Sequence, residues 1–258
     1  MSNRLDMTGK IVVVTGARQG LGKVFAKAFA EEGAKVILMA RNVPALRAAS
    51  DEITKETGAT CHICPLNVLD EDSVEQAAAF VAETTGRMDV LINNAAVGRS
   101  ITPLQDVALE EWENTIGTNL TGTFLCMKHF GRLMIAQNHG VIINLGSLAA
   151  KTVFKSACTG AYDVSKAAIM MLTRLMAGEW AQYNIRVNSI SPGLFMTDIN
   201  RGYVEKHPAF YEKSLEHLPI KRWGHPEELA TLVLFLASDS AAYVTGEDYG
   251  IDGGYPLW

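Results

Sequence analysis

Two apolar rhythms alternate along the chain. Continuous β-branched and aliphatic runs occupy Lys10-Ile11-Val12-Val13-Val14, Lys35-Val36-Ile37-Leu38-Met39-Ala40 and Thr60 to Leu66. Strand-like stretches follow at Val90-Leu91-Ile92-Asn93-Asn94, Gly140 to Leu145 and Ile185 to Ile190, and a short terminal strand is expected near Glu247 to Ile251. Such runs predict strands covered on both faces. Helical spacing fills the intervals. Val24 to Glu32 repeats apolar residues at Val24, Phe25, Ala28 and Phe29, and Gly33 closes it. Similar spacing predicts helices over Val43 to Thr57, Ser73 to Thr85, Leu109 to Gln137, around Tyr162, and over Pro226 to Ala237. Strand and helix alternating seven times imply an α/β fold: one doubly wound, seven-stranded parallel sheet with helices on both faces. No linker or shift of composition divides it, so residues 1–258 read as a single domain. The exception is Leu194 to His225, about thirty residues without clear periodicity, expected to be a substrate lid or binding loop.

Composition narrows the function classes. A net charge of -5 and scattered basic residues give no nucleic-acid surface. No apolar run approaches the roughly 20 residues needed to cross a bilayer. Met1-Ser2-Asn3-Arg4-Leu5-Asp6 has no signal-peptide core, so a cytoplasmic protein is expected. Of the four cysteines, Cys61-His62-Ile63-Cys64 invites a metal reading, but no second pair has matching spacing. In a strand, residues three apart point to opposite faces, so structural roles and no metal are expected.

The chemistry begins at Thr15-Gly16-Ala17-Arg18-Gln19-Gly20-Leu21-Gly22, where the first strand turns into its helix. Exposed N–H groups and the helix dipole there attract phosphate. Gly16, Gly20 and Gly22 give a tight turn, room for a pyrophosphate and close helix packing. After the second strand, NAD sites carry an acidic side chain for the ribose 2′-hydroxyl. Here Ala40 is followed by Arg41 and Asn42, and Arg18 can approach the same place. Two guanidinium groups and no acid suit a 2′-phosphate, which predicts NADP(H) over NAD(H). Farther on, Tyr162-Asp163-Val164-Ser165-Lys166 places a phenol and an ammonium one helical turn apart. The positive charge favours phenolate, making the tyrosine a better proton donor near neutral pH.

Together these motifs resemble the short-chain dehydrogenase/reductase family over essentially the whole length. The match comprises Thr15-Gly16-x-x-x-Gly20-x-Gly22, Asn93-Asn94-Ala95, Asn119, Ser147, Tyr162-x-x-x-Lys166, and Pro192-Gly193 with Thr197. The resemblance implies a Rossmann fold assembled into tetramers or dimers, and hydride transfer between a nicotinamide and a small carbonyl or secondary alcohol. It implies that Tyr162 is the general acid or base, and that Lys166 lowers its pKa and holds the nicotinamide ribose. Ser147 would hydrogen-bond the substrate oxygen, and Asn119 would hold a water in a proton relay. Asn67 and Val68 would lie near the adenine, with Asn67 standing where the family commonly has Asp. Asn93 and Ala95 would line the adenosine side, and Pro192, Gly193, Phe195 and Thr197 would approach the nicotinamide. Ser147, Phe154, Tyr162 and Phe195 are the candidate substrate contacts.

For the substrate, Pro219-Ile220-Lys221-Arg222-Trp223-Gly224 and the lid resemble members acting on sugar acids and polyols, such as gluconate 5-dehydrogenases. The same motifs occur in 3-oxoacyl-carrier-protein reductases and in reductases of cyclic ketones. Two rivals are a nucleotide-sugar epimerase or dehydratase, which would carry an extra C-terminal domain, and a catalytically silent NADP-binding regulator, which would lose part of the Asn-Ser-Tyr-Lys set. Leu257 and Trp258 at the apolar end suggest burial against another subunit, with a homotetramer or dimer expected.

Overall fold

Seven parallel strands form one sheet in the order β3-β2-β1-β4-β5-β6-β7. The computed structural model describes residues 4–98, 102–153 and 160–257, apart from the Ile199 side chain. The strands are β1 (Ile11–Thr15), β2 (Lys35–Ala40), β3 (His62–Pro65), β4 (Val90–Asn93), β5 (Gly140–Leu145), β6 (Ile185–Pro192) and β7 (Asp248–Ile251). Helices α1 (Gly20–Glu31), α2 (Val43–Thr57) and α9 (Pro226–Ala237) cover one face. Helices α3 (Glu71–Thr85), α5 (Gly122–Gln137) and α6 (Ala161–Trp180) cover the other. The period of two along a strand sorts the core: Val12 and Val14 pack with Phe25, Phe29 and Val233, whereas Ile11 and Val13 pack with Val81, Phe130 and Trp180.

The same alternation separates Cys61 from Cys64. Cys61 lies in the first apolar layer and Cys64 in the second, on opposite sides of the sheet. Burial pushes the Cys61 thiol up to about 11 and raises that of Cys64. Among the described residues no group of three His, Cys, Asp or Glu side chains could hold a metal ion.

Three predicted elements need correction. The third strand is four residues rather than the expected Thr60 to Leu66, because it pairs only with β2 and Pro65 has no N–H to extend the ladder. The long helix from Leu109 is interrupted: α4 (Leu109–Ile116) runs through a π-helical turn, Gly117–Thr121, into α5. Glycine at both ends of that turn lets the backbone press on the β3–α3 connection. A Cβ on Gly117 would lie 2.9 Å from Leu69, and one on Gly122 would lie 2.8 Å from Val68.

The stretch expected to be an irregular loop holds two nine-residue helices, α7 (Asp198–Lys206) and α8 (Pro208–Glu216). Pro208 sits at the start of α8, where its missing N–H costs nothing. Aromatic edges stitch the segment together. Tyr203 meets Phe210 at 5.4 Å between ring centroids, and Phe210 meets Trp223 at 6.2 Å. Trp223 is buried and donates from Nε1 to Ser214 Oγ at 2.7 Å, so it anchors the segment from within.

Candidate active site

Strand order reverses between β1 and β4, whose next elements leave in opposite directions. At such a switch point the carboxyl ends of the strands bound an open crevice. Here the crevice has a volume of about 640 Å³. Its floor is the turn from β1 to α1. Gly16 takes φ +67°, and a Cβ there would lie 2.9 Å from the Ala95 backbone. A Cβ on Gly22 would collide with Asn94 Nδ2 and lie 2.6 Å from the Gly16 carbonyl, so α1 can approach β4 only with glycine there. Gly20 takes φ +57° with nothing within 4 Å of the Cβ position, and this open space faces the crevice. Helix α1 starts here with no side-chain cap and no acidic residue in its first turn. Its unpaired N–H groups therefore fit a phosphate.

The walls carry charge of one sign. Arg18, Gln19, Leu21, Arg41, Asn42, Asn67, Val68, Ala95 and Thr197 line the crevice, and the two arginines are its charged lining residues among those described. Arg18 bonds to Gln19 and remains exposed, as does Arg41. Asn42 turns its side-chain oxygen to Ala45 N at 3.0 Å, capping α2. Asn67 accepts from Leu69 N at 3.4 Å, within its own turn.

Beyond β5 the predicted proton-transfer residues gather. Lys166 is 3% exposed and donates from Nζ to the Leu145 carbonyl at 2.6 Å. Burial brings its ammonium down to about 8. The same nitrogen lies 5.7 Å from the Tyr162 ring centroid, one turn back on α6. Ser147, 4% exposed, ends the strand connection and accepts from Ala149 N at 3.1 Å, starting a single 3₁₀ turn. Asn119, fully buried in the π-helical turn, is held on three sides. Its Oδ1 accepts from Val97 N at 2.9 Å, and its Nδ2 donates to Val97 O at 3.3 Å and Ser165 Oγ at 3.1 Å. Ser165 in turn donates to the Tyr162 carbonyl at 2.7 Å. The Asn119 side chain thus ties the β4 loop to the first turn of α6, an ordering role absent from the sequence reading.

Several expected contacts lie elsewhere. Asn93 belongs to the sheet interior: 4% exposed, it donates to Asn144 Oδ1 at 2.8 Å, and Asn144 donates to Thr173 Oγ1 at 2.9 Å. The crevice residue is its neighbour Asn94, because adjacent residues of a strand end face opposite ways. Phe195 is 4% exposed, and its ring packs against Gly224, where a Cβ would lie 2.5 Å from it. That ring packs in the core, which leaves the backbone of Phe195 to make the expected approach to the nicotinamide. Pro192 is buried at the end of β6, and Gly193 packs against Asp252. Phe154 lies outside the described residues. Thr118 and Asn200 also line the crevice. Asn200 was hidden in the unpatterned segment, and it donates to the Phe195 carbonyl at 2.8 Å.

Comparisons with known proteins agree with this geometry. A family model described as enoyl-(acyl carrier protein) reductase matches residues 16–256. A galactitol 2-dehydrogenase (L-tagatose-forming) from Cereibacter sphaeroides is 38% identical, over 99% of this chain and 97% of that protein. An NAD-dependent glycerol dehydrogenase from Listeria innocua is 36% identical, over 98% and 96%. A 3-oxoacyl-[acyl-carrier-protein] reductase from Aquifex aeolicus is 34% identical, over 97% and 98%. Among solved structures, L-sorbose reductase from Gluconobacter frateurii, complexed with NADPH and L-sorbose, superposes with TM-score 0.91 at 30% identity, covering 99% of this chain and 100% of that one.

Proposed function

The chain belongs to the short-chain dehydrogenase/reductase family and is an oxidoreductase of alcohol or ketone substrates; from that premise we propose an NADP(H)-dependent enzyme that interconverts a small polyol and its ketose. The observation that carries the cofactor choice is the crevice wall, where, among the described residues, Arg18 and Arg41 are joined by no acidic lining residue. A relative whose name specifies NAD and a structure holding NADPH both occur, so support for the cofactor choice comes from the chain's own charges. The substrate class is supported by the galactitol dehydrogenase and the L-sorbose reductase.

When bound, the nicotinamide supplies or accepts hydride. The remaining work falls to side chains. Tyr162 delivers the proton to the carbonyl oxygen during reduction and removes it during oxidation. The Lys166 ammonium sits beside its ring, 5.7 Å from the centroid, where it can also reach the nicotinamide ribose. Ser147 donates a hydrogen bond to the substrate oxygen as charge develops there. Asn119 fixes the first turn of α6 through Ser165 and keeps Tyr162 and Lys166 in register.

The test is NADPH oxidation, with NADH in parallel, against L-sorbose, tagatose, ketogluconates, cyclic ketones and an acetoacetyl thioester. Turnover of a ketose with at least tenfold higher kcat/KM for NADPH is expected. Comparable efficiency with NADH overturns the cofactor assignment. A strong thioester preference supports the second reading, a 3-oxoacyl-carrier-protein reductase, which the Aquifex relative favours. NADPH binding without any turnover supports a silent regulator.

The assembly proposed is a homotetramer, with a dimer as alternative. Support comes from apolar side chains exposed along one face of α6, Val164, Met171 and Leu175, and from exposed Leu257; Trp258 is outside the described residues. Light scattering showing a monomer at micromolar concentration would remove this proposal. The free thiols of Cys61, Cys64 and Cys126 suit a reducing compartment such as the cytoplasm. Among the described residues no helix is long and apolar enough to cross a membrane.

A further inference from the structure

A nearly buried charge lies outside the proton-transfer group. Asp248, on the edge strand β7, has a side chain only 8% exposed. Its Oδ1 accepts from two hydroxyls of β6, Ser189 Oγ at 2.6 Å and Ser191 Oγ at 2.9 Å, both on fully buried residues. Its Oδ2 is buried and accepts from no hydroxyl or backbone N–H among the described residues. The group that compensates it is the Lys151 ammonium, 2.6 Å away as an ion pair. A nearly buried ion pair costs desolvation, and apolar residues would join two strands as well. What the pair adds is orientation.

The location tells what is oriented. Lys151 closes the 3₁₀ turn that Ser147 begins, and its N–H donates to the Leu148 carbonyl at 2.9 Å. On the other side, Gly146 packs onto the same carboxylate. A Cβ there would lie 3.2 Å from Asp248 Oδ1 and 2.7 Å from Ser191 Oγ. Gly146 also donates from its N–H to the Ile190 carbonyl at 2.7 Å. One carboxylate therefore touches the chain immediately before Ser147 and grips it four residues after.

We propose that Lys151 and Asp248 are positioning residues: their ion pair clamps the Gly146–Lys151 turn against β6 and β7 and so fixes the direction of the Ser147 hydroxyl. The inference rests on the reading of Ser147 as the donor to the substrate oxygen. Removing either charge frees the turn while leaving the glycine floor and the arginine wall of the crevice untouched. Asp248→Asn keeps the shape and the serine hydrogen bonds, and releases an ammonium that solvent can reach. Lys151→Met removes the charge at similar length, and Lys151→Arg retains it.

The experiment compares Asp248→Asn, Lys151→Met and Lys151→Arg in the wild-type and Ser147→Ala backgrounds, reading kcat with L-sorbose or the best ketose of the panel, and NADPH Kd. The first two should lose about 10- to 100-fold in kcat, with Kd within twofold, Lys151→Arg should recover most of the rate, and neither loss should persist in Ser147→Ala. Losses that multiply undiminished in Ser147→Ala overturn the clamp but not the role of Ser147. Wild-type turnover by Ser147→Ala itself overturns the role of Ser147, and the clamp with it. Hydrogen exchange supplies a readout independent of substrate. Amides of residues 146–152 should exchange at least tenfold faster in Asp248→Asn while those of α6 are unchanged, and unchanged protection of the turn overturns the clamp.

Discussion

Lys166 donates from Nζ to the carbonyl oxygen of Leu145 at 2.6 Å, so an almost fully buried ammonium hangs from the strand that ends two residues before Ser147. A neutral acceptor satisfies one of its three N–H bonds but does not neutralise it. Burial is the dominant influence on its titration, and it lowers the value from 10.5 to about 8. The group thus works against the fold in order to sit beside Tyr162.

That conflict predicts a stability gain from destroying the site. Below about pH 8 the lysine is charged both folded and unfolded, and folding must bury the charge. As pH rises from there toward 10.5, the folded state releases its proton first, and stability increases. Lys166→Met removes the burden, so at pH 7 its Tm should rise by about 2–6 °C, a gain that shrinks as pH approaches 10. Thermal unfolding at pH 7 and pH 9.5 checks this. A lower Tm at pH 7 would mean that the methionine cannot fill the lysine's place.

Tyr162→Phe isolates the phenol. It keeps the ring over which Lys166 sits and the carbonyl to which Ser165 donates. Turnover should fall by about 10²–10⁴-fold, the usual worth of a positioned acid. NADPH affinity, followed by nicotinamide fluorescence, should stay within about threefold. Residual activity near wild type would move the proton donor elsewhere.

Arg18 and Arg41 provide a charge test. Each charge-assisted hydrogen bond to a phosphate contributes about 1.5–3 kcal/mol. Arg18→Ala and Arg41→Ala should each raise the NADPH Kd about tenfold or more while leaving NADH binding nearly unchanged. Isothermal titration with both nucleotides measures the contrast. Equal weakening of the two would show that the guanidinium groups contact something the cofactors share.

Where one interaction dominated a segment, the sequence was legible. Strands β1, β2, β4 and β5 follow from buried apolar runs, and β2 spans the same residues in sequence and structure because every position after Lys35 is enclosed. The glycine turn was legible because positive φ and close approach exclude other residues at Gly16. The segment from Leu194 to His225 was not. Its helices α7 and α8 are short and polar, and they are held by a chain of aromatic contacts from Tyr203 through Phe210 to Trp223. The packing of the Phe195 ring was hidden for a related reason, since an aromatic residue after a strand suits either a pocket or a core until Gly224 is seen beneath it. Asp248 and Lys151, far apart in sequence, gave no local signal at all.

Asn93 and Asn94 allow the sharpest comparison, because one motif carries both and the strand sends them opposite ways. Asn94 Nδ2 donates to the carbonyls of Thr15 at 2.9 Å and Gly16 at 3.2 Å, and its N–H donates to Thr15 Oγ1 at 3.0 Å. It therefore pins the phosphate turn to β4. Asn93 instead supports Asn144 within the sheet. Either alanine substitution leaves a buried polar partner unsatisfied and should cost about 1–3 kcal/mol of stability. Only Asn94→Ala should also loosen the turn, raising the NADPH Kd about tenfold, because the N–H groups at Gly20 no longer hold one geometry. Thermal unfolding and cofactor titration of both variants separate the effects. If Asn93→Ala weakened NADPH as much as Asn94→Ala, the sheet interior and the turn would be mechanically coupled, and the division of labour between the two asparagines would fail.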